Sequence, residues 1–221
     1  MSRPESPPVR GRAPRARAPR VSADVRRQEI ILAAHEVFGA RGFHKASLGE
    51  IAERVGITHQ GILHHFGSKE QLFVEVLIYR EHLDVADFEN HEPPRGPEML
   101  RHLVKTAVVN TGRIGLVQSY VVLSAESVTD GHPAQTSFRE RFEVLRGLIA
   151  AALEACCEPD AMPSAEELSA GASSIIAVMD GLQVQWLLDP DAVQMPAAVG
   201  LVIDALLEHW GSTERASTVL S

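Results

Sequence analysis

Aromatic residues and cysteines are scarce in this chain of 221 residues. Phenylalanine, tryptophan and tyrosine make up 5% of it, and its two cysteines, Cys156 and Cys157, are neighbours. Adjacent cysteines rarely pair with each other, so we predict free thiols and a reducing compartment. No apolar run is long enough to span a bilayer, and the start of the chain lacks the apolar core of a signal peptide. We therefore expect a soluble, cytoplasmic protein.

The sequence also lacks the short motifs that indicate an enzyme or a metal site. No GxSxG, glycine-rich phosphate loop, CxxC pair or paired carboxylates stand out, so we predict neither catalysis nor a cofactor. His59, His64 and His65 are spaced i, i+5 and i+6, whereas two ligands on one helical face need the spacing i, i+4. We therefore expect no metal at these histidines.

Helical periodicity runs through nearly everything after residue 22, and alternating, strand-like runs are scarce. Apolar residues make up 45% of the chain, which is typical of a globular protein. We predict an all-α fold of about nine helices. Prolines and glycines divide it into a disordered arm (1–21), a three-helix unit (22–67), a larger helical domain (68–211) and a disordered tail (212–221).

Charge is distributed unevenly along the chain. The net charge of −8 alone argues against a nucleic-acid partner, but residues 1–80 carry +5 and residues 81–221 carry −13. This asymmetry favours an N-terminal part that faces DNA and an acidic body that phosphates repel. The simpler alternative is two solvated surfaces that merely differ in composition.

The arm over residues 1–21 contains six arginines among five prolines. Such a segment cannot bury enough apolar surface to fold by itself, but it could lie along phosphates or enter a minor groove. The alternatives are a passive tail or a start codon that is placed too early.

Residues 47–66, SLGEIAERVGITHQGILHHF, have the pattern of a helix, a tight turn and a second helix. Ser47 is suited to cap the first helix, with Glu50 closing a capping box. Gly56 follows where a chain leaving a helix often needs positive φ, Ile57 is the expected buried pivot, and Thr58 is suited to cap the second helix. This arrangement predicts a helix-turn-helix whose second helix enters the major groove of DNA.

The flanking segments make this motif more specific. The helix before it has Ile30, Ala34, Val37 and Phe38 on one face and ends near the pair Gly42–Phe43. The helix after it begins at Ser68, with Gln71 completing a second capping box. The block resembles the TetR family of transcriptional regulators over about residues 26–80. The matching pieces are EIILAAHEVF, Gly42–Phe43, ASLGEIAERVGIT, HHF at 64–66 and SKEQLF at 68–73.

The resemblance implies that exposed positions of the second helix read bases and that flanking positions hold the DNA backbone. Gln60 is suited to pair with adenine, and the charge of Lys69 opposes the dipole of its own helix, so a phosphate explains it better than helix stability does. Leu63 stands where the family usually has tyrosine, and Gly49 where a longer polar residue is common. The expected base contacts are His59, Gln60, Gly61 and His64, and the expected backbone contacts are Ser47, Thr58, His65 and Lys69.

The family resemblance further implies that the last two long helices, about 165–188 and 197–210, form a homodimer interface. The alternative is that their apolar residues are buried within one subunit. The expected interface residues are Ile175, Ile176, Met179, Leu182, Trp186, Val199, Val202, Ile203, Leu206 and Trp210.

By the same resemblance, the middle helices, 98–157, enclose a pocket for a small organic effector, because polar groups interrupt their apolar faces. The alternative is that each polar side chain faces solvent or bonds to its own helix. The expected pocket residues are Thr106, Asn110, Ser119, Tyr120, Ser124, Met179 and Gln183.

These expectations combine into a homodimeric, ligand-responsive repressor of a near-palindromic operator, in which the fourth helix transmits the effector signal. Two alternatives stay open. The dimer could sense a ligand but act through a protein partner, or it could activate transcription.

Overall fold

The computed structural model describes residues 22–84 and 94–220, and this part of the chain is helical throughout. Two single-turn 3₁₀ helices, Pro159–Ala161 and Ser217–Leu220, accompany nine α-helices. The α-helices are α1 (Ala23–Lys45), α2 (Leu48–Arg54), α3 (His59–Phe66), α4 (Lys69–Asp84), α5 (Pro97–Asn110), α6 (Ile114–Glu126), α7 (Gln135–Glu154), α8 (Ala165–Leu188) and α9 (Met195–His209). None of the described helices combines the length and the apolar character that crossing a bilayer requires.

The arm predicted over residues 1–21 lies outside the described residues, as does the end of the fourth helix, which the sequence predicts over about 69–90. Within the described part, α8 has the predicted bounds of 165–188. The sequence predicts α6 over about 114–129 and α7 over about 134–157, and each ends three residues earlier. Gly42 has a φ of 72° and breaks the regular path of α1, and Phe43 then turns into the core, as predicted.

Local capping signals fix the helix-turn-helix. The Ser47 hydroxyl accepts a hydrogen bond from the Glu50 N–H (3.1 Å), and the Thr58 hydroxyl accepts one from the Gly61 N–H (3.1 Å). Gly56 has a φ of 67°, which provides the sharp turn between α2 and α3. Ile57 is only half-buried, so the prediction of a fully buried pivot is wrong, although its side chain does pack against the core.

The sequence predicts capping boxes at Ser47–Glu50, Ser68–Gln71 and Ser164–Glu167. The first two are only half formed, because the second side chain of each bonds to a partner farther away in the sequence. The Glu50 carboxylate accepts a hydrogen bond from Arg41 (2.9 Å), and the Gln71 amide donates to the Pro133 carbonyl (2.6 Å). The box at the start of α8 is complete. The Glu167 N–H donates to the Ser164 hydroxyl, and the Ser164 N–H donates to the Glu167 carboxylate.

The helix-turn-helix unit and the larger domain share one apolar core. The core formed by α1 to α4 continues into α6 and α7 through four buried side chains, Leu116, Tyr120, Leu123 and Phe138. The backbones of α1 and α6 touch, since a Cβ added at Gly115 would lie 1.9 Å from the carbonyl oxygen of Gly39. Packing therefore does not stop at the predicted domain boundary near residue 68.

The helices α5, α7, α8 and α9 enclose a second core, and the chain after α9 packs onto it. The prediction of a disordered tail after residue 211 is wrong. Ala216 is only 1% exposed, and its backbone N–H donates to the Asp204 carboxylate (2.6 Å). Arg101 of α5 also binds Glu214 (2.6 Å). Polar composition suggested disorder, but these partners lie far away in sequence and give no local signal.

Candidate nucleic-acid interface

One side of α3 anchors it in the core, and the other side faces solvent. Ile62 and Phe66 are buried, whereas Thr58, His59, Gln60 and His64 are exposed. These four polar side chains therefore occupy a continuous accessible surface at the start and middle of a short, rigidly held helix. A surface of this kind can enter a DNA groove without unfolding any of its neighbours.

Gly61 is half-buried between the anchored side and the exposed side. A Cβ added there would lie 3.5 Å from the nearest Ile57 atom, which is ordinary van der Waals contact. Packing within the chain therefore does not require glycine at this position. Its effect is to leave the start of α3 open to close approach from outside.

The predicted backbone contacts flank this surface. Ser47 and Thr58 are exposed, although their hydroxyls already cap α2 and α3, and His65 is half-buried. The Lys69 ammonium lies over the Phe43 ring, 4.5 Å from its centroid. Burial lowers the pKa of Lys69, and the nearby Glu70 carboxylate offsets part of that change. Leu63, at the position where tyrosine was expected, packs partly against the core.

Two adjacent arginines of α1 hold the ends of both helices of the motif, which sequence reasoning missed. Arg26 donates to the carbonyl of Val55 at the end of α2 (2.9 Å), and Arg27 donates to that of His65 near the end of α3 (3.1 Å). These bonds satisfy helix-terminal carbonyls that would otherwise lack a partner.

Arg27 makes further contacts that join three helices. Its guanidinium stacks over the Phe66 ring, 4.4 Å from the centroid, and forms an ion pair with Glu75 of α4 (2.5 Å). The sequence carried a signal for Arg26 alone, which closes the first turn of α1, where a cation opposes the helix dipole. Arg27 lies one residue beyond that turn and gave no such signal.

Three of the seven predicted pocket residues come together. Asn110, Met179 and Gln183 line a small cavity among α5, α8 and α9. The volume of this cavity that the centre of a water-sized sphere can occupy is about 10 Å³. The remaining cavity walls are Ala107, Met195 and Val199. This cavity therefore joins one predicted pocket residue of the middle helices, Asn110, with the two that were predicted from α8.

The other four predicted pocket residues do not line this cavity. The hydroxyls of Ser119 and Ser124 bond to carbonyls of their own helix, Gly115 (2.7 Å) and Val121 (3.0 Å) respectively. This local bonding is common for serine inside helices. Tyr120 donates to the Asp180 carboxylate (3.1 Å), and Thr106 is half-buried outside the cavity lining.

Four of the ten predicted interface residues are buried within their own subunit, and six keep part of their surface accessible. Ile175, Trp186, Val199 and Ile203 are buried there, and the remaining members of the set, Ile176, Met179, Leu182, Val202, Leu206 and Trp210, are half-buried. The same two helices expose other apolar side chains outwards: Val184 (43% exposed), Leu188 (82%) and Leu201 (69%). Helical periodicity identified an apolar face but could not say which of two neighbours would cover it.

Both cysteines are free, and burial raises the pKa of both thiols, that of Cys156 to about 11. The carboxylate of Glu214 adds to the change at Cys156. Among residues 22–84 and 94–220, no three histidine, cysteine, aspartate or glutamate side chains are grouped so as to hold a metal ion.

A capped helix-turn-helix with an exposed second helix, joined through a shared core to a larger helical body, defines a DNA-binding transcriptional regulator. The comparisons with known proteins specify it further. Residues 30–76 match the model of bacterial regulatory proteins of the tetR family, and residues 97–211 match that of the C-terminal part of BetI-type transcriptional repressors. The chain belongs to the TetR family of transcriptional regulators.

Individual relatives agree with this assignment. The chain is 25% identical over 203 residues to the transcriptional regulator AcrR of Shigella flexneri, covering 88% of this chain and 94% of AcrR. It is 41% identical over 68 residues to the transcriptional activator FasR of Mycolicibacterium smegmatis, a match that covers 31% of this chain and only 30% of FasR. A TetR transcriptional regulator from Rhodococcus sp. RHA1 has the same fold, with a TM-score of 0.61 at 18% identity over 83% of this chain and 97% of that one.

Proposed function

We propose that this regulator is a homodimeric repressor that binds a near-palindromic operator through α3 and is released from it by a small organic effector. The observation that carries the proposal is the exposed polar surface of α3 opposite its buried anchors. Two such helices, one from each subunit, would enter successive major grooves with half-sites about 34–36 Å apart, or a multiple of that distance.

Each predicted contact residue has a role in this proposal. Gln60 pairs with a base edge, His59 and His64 donate to bases, and Gly61 allows close approach. The hydroxyls of Ser47 and Thr58, the ring of His65 and the ammonium of Lys69 hold phosphates on either side.

Selection of operators from random duplex DNA tests the DNA-binding part of the proposal. We expect an enriched, near-palindromic sequence at physiological salt. If the purified chain shows no preference for any sequence over random duplex under those conditions, the proposal is wrong.

The repressor role is supported by the family model that matches the larger domain, since that model describes BetI-type repressors. The relative named as an activator matches this chain over 68 residues, about a third of its length. A match of that extent supports a shared mode of DNA binding, but it says little about whether binding activates or represses transcription. We expect the chain to lower transcription from a promoter that carries its operator and effector addition to restore it.

The dimer is proposed to form through the outward faces of α8 and α9, where Val184, Leu188 and Leu201 are exposed. A closed two-fold interface between copies would cover these side chains. We expect Leu201→Glu to shift the chain from dimer to monomer in analytical ultracentrifugation. Val144→Glu is the matched control, because Val144 is similarly exposed (61%) but lies on α7. A wild-type monomer at micromolar concentration contradicts the proposed dimer.

A further inference from the structure

The small cavity among α5, α8 and α9 has a lining without any charged side chain. Its walls are Ala107 and Asn110 from α5, Met179 and Gln183 from α8, and Met195 and Val199 from α9. The cavity therefore combines four apolar side chains with two carboxamides. Its volume of about 10 Å³ corresponds to about one water-sized sphere, so it is closed to larger molecules in this conformation.

One of the two carboxamides is poorly satisfied within the chain. The Asn110 side chain is 3% exposed, and its Oδ1 atom accepts a hydrogen bond from none of the described residues. A buried carbonyl oxygen without a donor costs folding free energy, and native proteins rarely retain one without a reason. A donor brought by a bound molecule is such a reason.

The walls of the cavity are able to move. Met179 and Met195 have unbranched side chains with three rotatable bonds, which adapt readily to different shapes. Rotation of these two side chains would enlarge the cavity without breaking any backbone hydrogen bond of α8 or α9. The fixed end of the site is then Asn110 and the adjustable end is the pair of methionines.

We propose that this cavity is the closed form of the effector site and that it takes a neutral organic molecule with a hydrogen-bond donor directed at Asn110 Oδ1. The inference rests on the proposed ligand-responsive function. Gln183, which is 8% exposed, supplies the second polar contact, and the apolar part of the ligand displaces the methionines. Carboxylates and ammonium ions are excluded, because no lining group could compensate a buried charge.

The same residues connect the cavity with the helix-turn-helix unit. Met195 packs with Trp186 of α8 and with Val117 of α6, all three of them buried in one cluster. Two residues before Val117, the backbone of α6 touches α1 at Gly115 and Gly39. A ligand that displaces Met195 therefore presses on α6 and, through it, on the helix that holds α2 and α3.

Three molecules of similar size and different charge test the site: benzamide, benzoate and benzylammonium. Each is added at millimolar concentration to the full chain, and the thermal unfolding midpoint is measured. We expect benzamide alone to raise the midpoint. Asn110→Leu should weaken benzamide binding by about tenfold or more, as the loss of one buried hydrogen bond predicts. Ser127→Ala is the control, since it removes a buried hydroxyl directly after α6 that donates to the Ser124 carbonyl.

A second variant keeps the test decisive if Asn110→Leu does not fold. Val199→Ile adds one methylene to the cavity wall on α9, which a volume of about 10 Å³ can hold, and should weaken benzamide binding while leaving the chain folded. Three results overturn the inference: equal stabilisation by a charged analogue, undiminished benzamide binding in both variants, or no binding of benzamide to the wild type.

Operator binding, measured in parallel, separates this inference from the proposed function. A chain that binds its operator but fails the benzamide test refutes the site alone. A chain that selects no operator refutes the proposed function, whatever benzamide does.

Discussion

The helix-turn-helix unit and the larger domain differ in where their polar side chains lie: on the outside in the first and partly in the interior in the second. In residues 22–84 the core is apolar, and the polar side chains of α3 point outwards. In residues 94–220 several polar side chains are buried or largely enclosed, among them Asn110, Asp180 and Gln183. An outward polar face suits a large, rigid partner such as a duplex, whereas enclosed polar groups suit a small molecule that enters the protein.

Exposed and enclosed polar groups differ in the free energy that their desolvation costs when the chain folds. Exposed polar groups keep their water until a partner replaces it, so the surface of α3 costs little in the absence of DNA. Enclosed groups lose their water when the chain folds and must find partners inside. The larger domain therefore contains a buried acceptor, Asn110 Oδ1, to which a ligand could donate a hydrogen bond.

The largest expected effect comes from breaking the contact between the two parts. Gly115→Ala places a Cβ against the carbonyl oxygen of Gly39, at 1.9 Å if nothing moves. Forcing α6 away from α1 should lower the free energy of unfolding by about 3 kcal/mol. Chemical denaturation measures this change.

Gly147→Ala is the control for that substitution. Gly147 lies inside α7, and an added Cβ meets nothing within 4 Å. Alanine there should raise stability by about 0.5–1 kcal/mol, because it restricts the unfolded chain and favours the helix. If Gly115→Ala is equally harmless, the two parts do not depend on this contact.

The next effect concerns the outward face alone. Gln60→Ala should reduce discrimination between operator and altered operator by about 1–3 kcal/mol, because it removes one base contact. Lys69→Ala should instead weaken binding to all sequences alike and reduce the salt dependence by about one charge. Competition binding at several salt concentrations distinguishes the two patterns. Identical behaviour of both variants contradicts the assigned roles.

The sequence predicted the helix-turn-helix unit better than the larger domain, for a physical reason. Ser47, Gly56 and Thr58 act through bonds to residues three or four positions away or through their own backbone angles, and such signals are visible in a sequence. The caps and the turn were therefore predicted correctly. Arg26 and Arg27 act on carbonyls that are 29 and 38 residues away, so no local signal reveals these partners.

In the larger domain, periodicity predicted where helices lie but not what surrounds them. Ile203 and Leu201 are both apolar residues of α9, yet one is buried in the subunit and the other is 69% exposed. Ser119 and Asn110 are both buried, yet one bonds to its own helix and only the other lines the cavity. Tertiary packing decides between such alternatives, and a single sequence carries little information about it.

A smaller effect is expected where α1 supports the recognition helix. Arg27→Ala removes the bond to the His65 carbonyl, the contact with Phe66 and the ion pair with Glu75. We expect operator affinity to fall by about 1–2 kcal/mol, because the end of α3 is held less firmly. Faster amide hydrogen exchange at the end of α3 should accompany the loss.

Arg27→Lys sharpens that result, since it keeps the charge but not the fork that bonds two acceptors at once. If Arg27 acts only through its charge on DNA, the lysine variant binds like the wild type and exchange at α3 is unchanged. Intermediate affinity with faster exchange instead indicates that Arg27 positions α3.

The smallest effect concerns the enclosed charge of the larger domain, and we predict only its direction. Burial raises the pKa of Asp180 above its ordinary value of 3.8, and the bond from Tyr120 and the nearby Arg141 offset part of that rise. Between the ordinary and the raised pKa the folded chain holds more protons than the unfolded one, so stability falls as pH rises through this window.

Asp180→Asn removes the titrating group and keeps an acceptor for Tyr120. The variant should therefore unfold at a higher temperature than the wild type at neutral pH, and this advantage should shrink as the pH approaches 3.8. A variant that is less stable at neutral pH would mean that the attraction of Arg141 outweighs burial, and the enclosed carboxylate would then stabilise the domain that contains it.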